Sequence, residues 1–377
     1  MIKRFYNDLD KWIKPGKALI IYGPRRAGKT TLLRNFLATT KYKYKLDSGD
    51  NISTQQILSS RDFKTILGYV EGYELLAIDE AQNIPDIGFG LKILTDERPD
   101  LRIIATGSSS FDLSRQVGEP LTGRKNTVIL YPFAQMELLN KYNHFELKQN
   151  LADFLIFGSY PEVVMTKNRI DKITLLEELM NSYLLKDILS LEKVKGSKVL
   201  LDLVKLLAFQ IGNEVSLNEM ASQLSLDVKT VARYLDLLEK SFVIISLGGY
   251  GSNLRKEVST KKKYYFLDTG IRNVVISQFN SLEDRNDIGF LWENFIAVER
   301  LKNRSYNNIY GGYYFWRTYE QEEIDLVEDR DGKLFGSECK WSAQKGEKTF
   351  APKTWTKEYP KAGFKVITPE NYLDFIA

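Results

Sequence analysis

The octamer Gly-Pro-Arg-Arg-Ala-Gly-Lys-Thr at residues 23–30 has the residue types and spacing of a phosphate-binding loop, or P-loop. Its glycines let the backbone bend until successive N–H groups point at phosphate oxygens, and the following helix adds the positive end of its dipole. Lys29 would reach the β- and γ-phosphates of a nucleotide, and Thr30 would offer its hydroxyl to Mg²⁺. The octamer therefore predicts a site for a nucleoside triphosphate with its magnesium ion.

The predicted nucleotide contacts extend over the whole loop. For Arg25 and Arg26 two interpretations stay open: contact with phosphate or an acidic neighbour, or a solvated loop position. The predicted nucleotide-binding residues of this segment are Gly23, Pro24, Arg25, Arg26, Ala27, Gly28, Lys29, Thr30 and Thr31.

Two carboxylates follow an apolar stretch downstream of the P-loop. The apolar run from Leu75 to Ile78 is followed directly by Asp79 and Glu80. A buried strand that delivers two carboxylates at its carboxyl end is what Mg²⁺ and an attacking water require beside a P-loop. We therefore predict that Asp79 holds the metal and that Glu80 orients the water, with a plain helix N-terminus as the alternative.

Hydroxyls and an arginine supply further candidates. Thr106 and Ser108 end another predicted strand and would sense the γ-phosphate, unless they only form a serine turn or helix cap. Arg124 is a candidate arginine finger, which can act on its own subunit or on a neighbour. The stretch 140–143 lacks the aspartate of the guanine-reading N-K-x-D motif, so ATP is favoured over GTP.

A second chemical constellation lies on a predicted hairpin near the C-terminus. If Asp331 and Gly332 form a two-residue loop, Asp325 lies opposite Glu338, on the face that also carries Lys340. Two carboxylates this close repel each other unless a cation lies between them, and a lysine can polarise a water. This is the arrangement of D…E-x-K metal-dependent nucleases. A loop at Arg330 and Asp331 would keep both carboxylates on one face as diagonal neighbours, and a three-residue loop would break the pairing.

Glu293 is a third carboxylate for the same site. It lies on the apolar stripe of a predicted helix over residues 288–301, where an unpaired charge is costly. It is either a partner of the metal site or a glutamate at the edge of the stripe that reaches water. The metal ligands predicted for the chain are Thr30, Asp79, Asp325 and Glu338. The predicted catalytic residues are Lys29, Glu80, Arg124, Glu293, Asp325, Glu338 and Lys340.

The elements that must position these residues differ along the chain. From Lys17 to about Pro132 short apolar strands alternate with amphipathic stretches, which is the pattern of a parallel α/β domain. Residues 136–196 are predominantly helical in pattern and predict a lid. Residues 197–270 predict three helices with a tight turn between the last two, followed by two strands, which is a winged helix-turn-helix.

The predicted third helix of this module carries a polar outer face with the residues Lys229, Arg233, Asp236 and Lys240, and its core face contains Val228, Val231, Leu235 and Leu238. The predicted wing is basic at Arg255, Lys256 and 261–263. The three cations on the helix face suit DNA phosphates and also suit plain solvent, so DNA contact and protein contact both stay open for this module.

Composition excludes several classes of site. The 377 residues are enough for two or three domains, and a formal charge of +4 is only a weak argument for a polyanionic partner. The single Cys339 excludes an intramolecular disulfide, and with the single His144 it leaves no set for structural zinc. No apolar run approaches eighteen residues and the N-terminus does not resemble a signal peptide, so we expect a cytoplasmic protein without membrane contact.

These motifs together resemble a large, mostly uncharacterised prokaryotic ATPase family with an AAA-type P-loop domain, a winged helix and a restriction-endonuclease-like domain. Asp325 with Glu338 to Lys340 resembles the PD-(D/E)xK motif of the restriction-endonuclease superfamily. The resemblance implies an ATPase core related to the AAA+ class. The segments that carry it are 23–30, 79–80, 106–108, 123–124, 131–133 and 158–162.

The sequence thus predicts an α/β P-loop ATPase domain at 1–135, a helical lid at 136–196, a winged helix at 197–270 and a restriction-endonuclease-like domain at 271–377. The expected function is Mg²⁺-ATP hydrolysis coupled to binding of double-stranded DNA or to its cleavage at a second Mg²⁺ or Mn²⁺ site. The alternative is an ATP-dependent switch whose winged helix and inactive nuclease-like domain bind a partner protein. A homo-oligomer is left open.

Overall fold

Two β-sheets, one of five strands and one of seven, organise the part of the chain that the structure describes. The structure is a computed structural model that describes residues 2–108, 118, 120–181, 197–251, 262–342 and 350–377. The chain divides into two units, the first chiefly Lys3–Pro132 and the second formed by Phe133–Glu239 with Val243–Ala377. Arg255, Lys256 and Lys261 of the predicted wing lie outside the described residues.

The first unit is built on a parallel sheet. Its strands are β1 (Ala18–Tyr22), β2 (Tyr44–Ser48), β3 (Leu75–Asp79), β4 (Arg102–Gly107) and β5 (Lys125–Ile129). They lie in the order β2-β3-β4-β1-β5, and every neighbouring pair is parallel. All five residues of β1 are buried, as expected of a parallel strand that is covered on both faces. The predicted parallel α/β core is confirmed.

Helices connect these strands. They are α1 (Lys29–Leu37), α2 (Ile52–Ser59), α3 (Phe63–Tyr69) and α4 (Ile87–Glu97). The side chains of Asn51 and Asp62 accept backbone N–H groups at the starts of α2 and α3, which satisfies donors that a helix N-terminus leaves unpaired. Leu91 and Leu94 of α4 are fully buried in the cluster that includes the sheet residue Ile103.

The helices that follow Pro132 are α5 (Gln135–Leu138), α6 (His144–Gln149), α7 (Leu151–Phe157), α8 (Pro161–Met165), α9 (Arg169–Leu179), α10 (Ser197–Phe209), α11 (Leu217–Leu224), α12 (Val228–Lys240), α13 (Thr269–Val275), α14 (Ile288–Tyr306), α15 (Lys353–Glu358) and α16 (Leu373–Ile376). Among the described helices, none combines the length and the hydropathy needed to cross a membrane.

The second unit contains the larger sheet. Its strands are β6 (Glu214–Val215), β7 (Ile244–Gly249), β8 (Lys262–Phe266), β9 (Gly312–Arg317), β10 (Glu323–Arg330), β11 (Lys333–Cys339) and β12 (Gly363–Ile367). Their order is β12-β11-β10-β9-β7-β8-β6. β7 pairs with β9, so the sheet contains strands from both predicted modules, 197–270 and 271–377. The division of this region into domains stays a prediction.

The helical part of residues 197–270 has the predicted turn. Ser225, at φ 54°, ends α11, and Asp227 caps α12 by accepting the Thr230 N–H at 2.9 Å. Val231 is buried in α12 as expected, but Val228 is 38% exposed. The expectation of a core position for Val228 is therefore wrong, since this first residue of the helix faces solvent. The name winged helix stays a prediction.

Candidate functional site

Two glycines fix the shape of the P-loop between β1 and α1. A Cβ atom on Gly23 would lie 2.1 Å from the Leu130 carbonyl oxygen, so no larger residue fits there. Gly28 precedes α1 with φ 97°, in the region that favours glycine. The loop therefore turns sharply from the buried strand into the helix N-terminus, where backbone N–H groups can bind an anion.

Lys29 is buried within this turn, with only 4% of its surface exposed. Its ammonium group donates to the carbonyl oxygens of Gly23 and Pro24, each at 2.9 Å. Burial lowers the pKa of Lys29 to about 8, although the charges of Glu80 and Asp79 act in the opposite direction. The lysine is therefore held inside the loop, close to two acidic groups.

Asp79 connects the P-loop to the neighbouring strands. It lies at the end of β3 and accepts a hydrogen bond from the Thr30 hydroxyl at 2.8 Å on one carboxylate oxygen. The Thr106 hydroxyl at the end of β4 donates to the other oxygen. Because β4 lies between β1 and β3, the three side chains converge at the carboxyl edge of the sheet. Hydroxyl and carboxylate oxygens are ligands that Mg²⁺ accepts, so Thr30 and Asp79 fit a magnesium site.

Glu80 and Ser108 are linked by a residue that the sequence analysis missed. The backbone of Glu80 has φ 51°, and its N–H donates to the Thr106 hydroxyl at 3.2 Å. The side-chain amide of Gln82 donates to the Glu80 carboxylate and, at 3.1 Å, to the Ser108 hydroxyl. The only signal in the sequence is the position of Gln82, two residues after Glu80. Gln82 thus links Glu80, predicted to orient the water, to Ser108, predicted to sense the γ-phosphate.

The other predicted loop residues differ in exposure. Pro24 and Ala27 are buried, whereas Arg25, Arg26 and Thr31 are exposed. The charge of Arg25 contributes to the lowered pKa of Lys29, which indicates that this guanidinium lies near the site. The structure therefore leaves both interpretations of the loop arginines open.

Arg4 also supports the P-loop and was not predicted from the sequence. Its guanidinium donates to the carbonyl oxygens of Ala27 at 2.6 Å and Tyr131 at 2.5 Å, and the residue is 8% exposed. Arg4 thereby ties the loop to the segment after β5.

The structure does not bring Arg124 to the P-loop of its own chain. Arg124 precedes β5, whose first residue pairs with Ala18 at the amino end of β1. The P-loop follows the carboxyl end of β1, roughly 16 Å away along a five-residue strand. Arg124 instead forms an ion pair with Asp96. A role as an arginine finger within one subunit is therefore excluded by strand direction, and a role in a neighbouring copy stays a prediction.

The C-terminal hairpin has the register on which the second site depends. Arg330 pairs with Lys333, so the two-residue loop is Asp331–Gly332, both at positive φ. The cross-strand pairs continue to Leu326 and Ser337, and the same register extended by one residue would set Asp325 opposite Glu338. The conditional prediction of this register is confirmed.

The cation among these carboxylates is Lys263 of β8. Its ammonium group lies 3.0 Å from Glu293 Oε1 and 4.0 Å from Asp325 Oδ1, and it also contacts Glu323. Lys263 lies within β8 and is 1% exposed, so its predicted place among the basic residues of the wing is wrong. Glu293 is 7% exposed, which also excludes the interpretation that it reaches water at the edge of a helix stripe.

We define the C-terminal carboxylate cluster as Glu293, Glu323, Asp325 and Glu338. Burial, together with the charges of Glu293 and Glu338, raises the pKa of Asp325 well above its usual value. Burial also raises the pKa of Glu293, against the effects of Lys263 and Tyr265. Lys340 pairs with Glu338 at 2.9 Å. Among the described residues, no group of three or more His, Cys, Asp and Glu side chains is arranged to hold a metal ion.

Models of protein families match three parts of the chain. Residues 15–139 match the family described as an AAA domain. Residues 148–282 match a domain of unknown function (DUF8612), and residues 288–373 match a second one (DUF4143).

Uncharacterized proteins from several organisms are similar to most of the chain. One from Mycobacterium tuberculosis is 28% identical over 327 residues, which cover 85% of this chain and 70% of the relative. One from Haemophilus influenzae is 26% identical over 333 residues, which cover 82% of this chain and 78% of the relative. One from Methanocaldococcus jannaschii is 24% identical over 350 residues, which cover 86% of this chain and 76% of the relative.

Among solved structures, AMPPCP-bound DnaA from Aquifex aeolicus aligns with 63% of this chain and 85% of its own chain, at 18% identity and a TM-score of 0.29. An alignment with that score does not establish a shared fold. The AAA domain match covers the P-loop and all five strands of the parallel sheet, and it supports an ATP-binding P-loop protein of the AAA ATPase type.

Proposed function

We propose that this chain binds Mg²⁺-ATP at the P-loop and hydrolyses it. The observation that carries the proposal is the convergence of Lys29, Thr30 and Asp79 at the carboxyl edge of one parallel sheet. A steady-state assay of the full chain with ATP and Mg²⁺ tests it, and an absence of turnover would refute it.

The residues divide the work of phosphoryl transfer. Lys29 would exchange its two carbonyl partners for phosphate oxygens, and Thr30 and Asp79 would hold Mg²⁺, which neutralises charge on the phosphates when it is bound. Glu80 would orient the attacking water. Thr106 and Ser108 lie beside the two carboxylates and would respond to the γ-phosphate.

Gln82 has a positioning role in this proposal, since its amide fixes the Glu80 carboxylate against Ser108. We expect Gln82→Ala to lower kcat about tenfold with little change in KM, because orientation of the base matters in the transition state and not in ATP binding. The control is Asn83→Ala, which removes an exposed neighbour. Steady-state kinetics measure the effect. A higher KM with unchanged kcat would contradict the positioning role.

The proposal includes coupling of the nucleotide state to double-stranded DNA. Lys229 and Arg233 are exposed on α12, the second helix of the helix-turn-helix. We expect the double reversal Lys229→Glu, Arg233→Glu to weaken DNA binding at low salt by at least about tenfold and to reduce the salt slope by about two. Fluorescence anisotropy at several salt concentrations measures both effects. Lys333→Glu, an exposed reversal on the hairpin, is the control, and an equal loss there would contradict the assignment.

The alternative function is an ATP-dependent switch that binds a partner protein through the same modules. Lys263 favours this alternative, because its ammonium group lies beside the carboxylates that would have to bind a metal ion for DNA cleavage. ATP turnover without DNA binding at low salt would select this alternative.

A further inference from the structure

We propose that Lys263 is the resident counter-ion of the C-terminal carboxylate cluster and takes the place that a divalent metal holds in D…E-x-K nucleases. Its ammonium group contacts Glu293 and Glu323 and lies 4.0 Å from Asp325. Lysine carries a compact charge with three donors, which suits a site enclosed by three carboxylates. The cluster is therefore complete without Mg²⁺ or Mn²⁺.

Two of the oxygens that would coordinate a metal already have hydrogen-bond partners. Glu293 Oε1 accepts from Lys263 at 3.0 Å and from the Tyr265 hydroxyl at 2.6 Å. Asp325 Oδ2 accepts the backbone N–H of Cys339 at 2.7 Å. A divalent ion at this position would have to displace the lysine, and the carboxylates would lose these hydrogen bonds. The residues present therefore do not fit the metal that the nuclease-like resemblance implies.

The contacts of Lys263 also explain why the lysine is buried. Lys263 lies on β8, Glu293 on α14, and Glu323 with Asp325 on β10. One charge thus joins three elements of the second unit, and its removal takes the ammonium group of Lys263 away from the buried Glu293 and Asp325. Loss of one member of a buried ion pair is strongly destabilising.

The test compares wild type with Lys263→Met, which keeps most of the side-chain volume and removes the charge. We expect the variant to lose about 10 °C in Tm and to regain part of it with millimolar Mn²⁺, since the metal can then enter the vacated position. Wild type should gain no Tm from Mn²⁺. The control Lys262→Met, on the exposed neighbour, should behave as wild type. An unchanged Tm in Lys263→Met, or no response of that variant to Mn²⁺, would overturn the proposal.

A second measurement does not depend on whether Lys263→Met folds. Electron paramagnetic resonance of wild type titrated with Mn²⁺, without nucleotide, should detect no binding that depends on Asp325. One Mn²⁺ bound per chain in wild type and lost in Asp325→Asn would refute the proposal. Cleavage of plasmid DNA by wild type with Mn²⁺, abolished by the same substitution, would refute it as well. Either result would leave the proposal of ATP hydrolysis unaffected, because the P-loop residues belong to the other unit.

Discussion

Replacement of Glu80 by Gln should leave ATP binding close to that of wild type and lower steady-state hydrolysis by about 10²- to 10⁴-fold, the usual contribution of a positioned general base. The Glu80 carboxylate accepts from Gln82, whereas Thr30 and Asp79, which would hold Mg²⁺, bond to each other. The backbone N–H of residue 80 can still donate to Thr106 in the variant. An amide of similar shape can fill the same space but cannot accept a proton from water. The chemical step therefore loses its base while the binding site is preserved.

The experiment separates binding from chemistry. Isothermal titration with ATP and Mg²⁺ should give similar affinities for wild type and Glu80→Gln, and phosphate release should differ by the stated factor. Glu97→Gln at the exposed end of α4 is the control, because it removes a carboxylate of the same type away from the site. Turnover that is unchanged in Glu80→Gln would refute the role of this residue.

The sequence predicted the features that depend on neighbouring residues. The spacing of Gly23 and Gly28 is that of a P-loop turn between a buried strand and a helix. The hairpin register follows from the positive φ that Asp331 and Gly332 adopt. In both cases local backbone geometry determines the structure, so the pattern could be interpreted without tertiary information. The strand β2 was not predicted. It lies at the edge of the sheet and none of its five residues is buried, so it lacks the continuous apolar run of the other strands.

Features that depend on distant partners were not predicted. The pairing of Lys263 with Glu293 joins a strand to a helix, and nothing in the local pattern of either segment distinguishes a buried ion pair from a basic wing or a metal ligand. Arg124 is a different case. It precedes a parallel strand, and parallel strands place the P-loop at their carboxyl ends, so its position at the opposite edge could have been inferred from the strand direction.

The electrostatic state of Lys29 gives the second large expected effect. In the nucleotide-free protein, burial holds its pKa at about 8, and the phosphates of bound ATP would raise that pKa. Below pH 8 the lysine is already protonated and its contribution to ATP affinity does not change. Above pH 8 a proton must be taken up on binding, so affinity should fall by up to about tenfold per pH unit until the pKa of the bound state is reached.

The variant Lys29→Met isolates this contribution, because it removes the ammonium group and keeps an unbranched apolar side chain at a buried position. We expect about a 10²-fold loss of ATP affinity at pH 7.5, from the loss of charge-assisted hydrogen bonds to phosphate, and loss of measurable hydrolysis. Titration calorimetry from pH 7.5 to 9.5, in buffers of different ionisation enthalpy, should detect proton uptake near pH 9 in wild type and none from this group in the variant. Wild-type affinity that stays constant over this range would show that Lys29 is already charged at pH 9.5 or does not meet the phosphates, and equal affinity in the variant would select the second explanation.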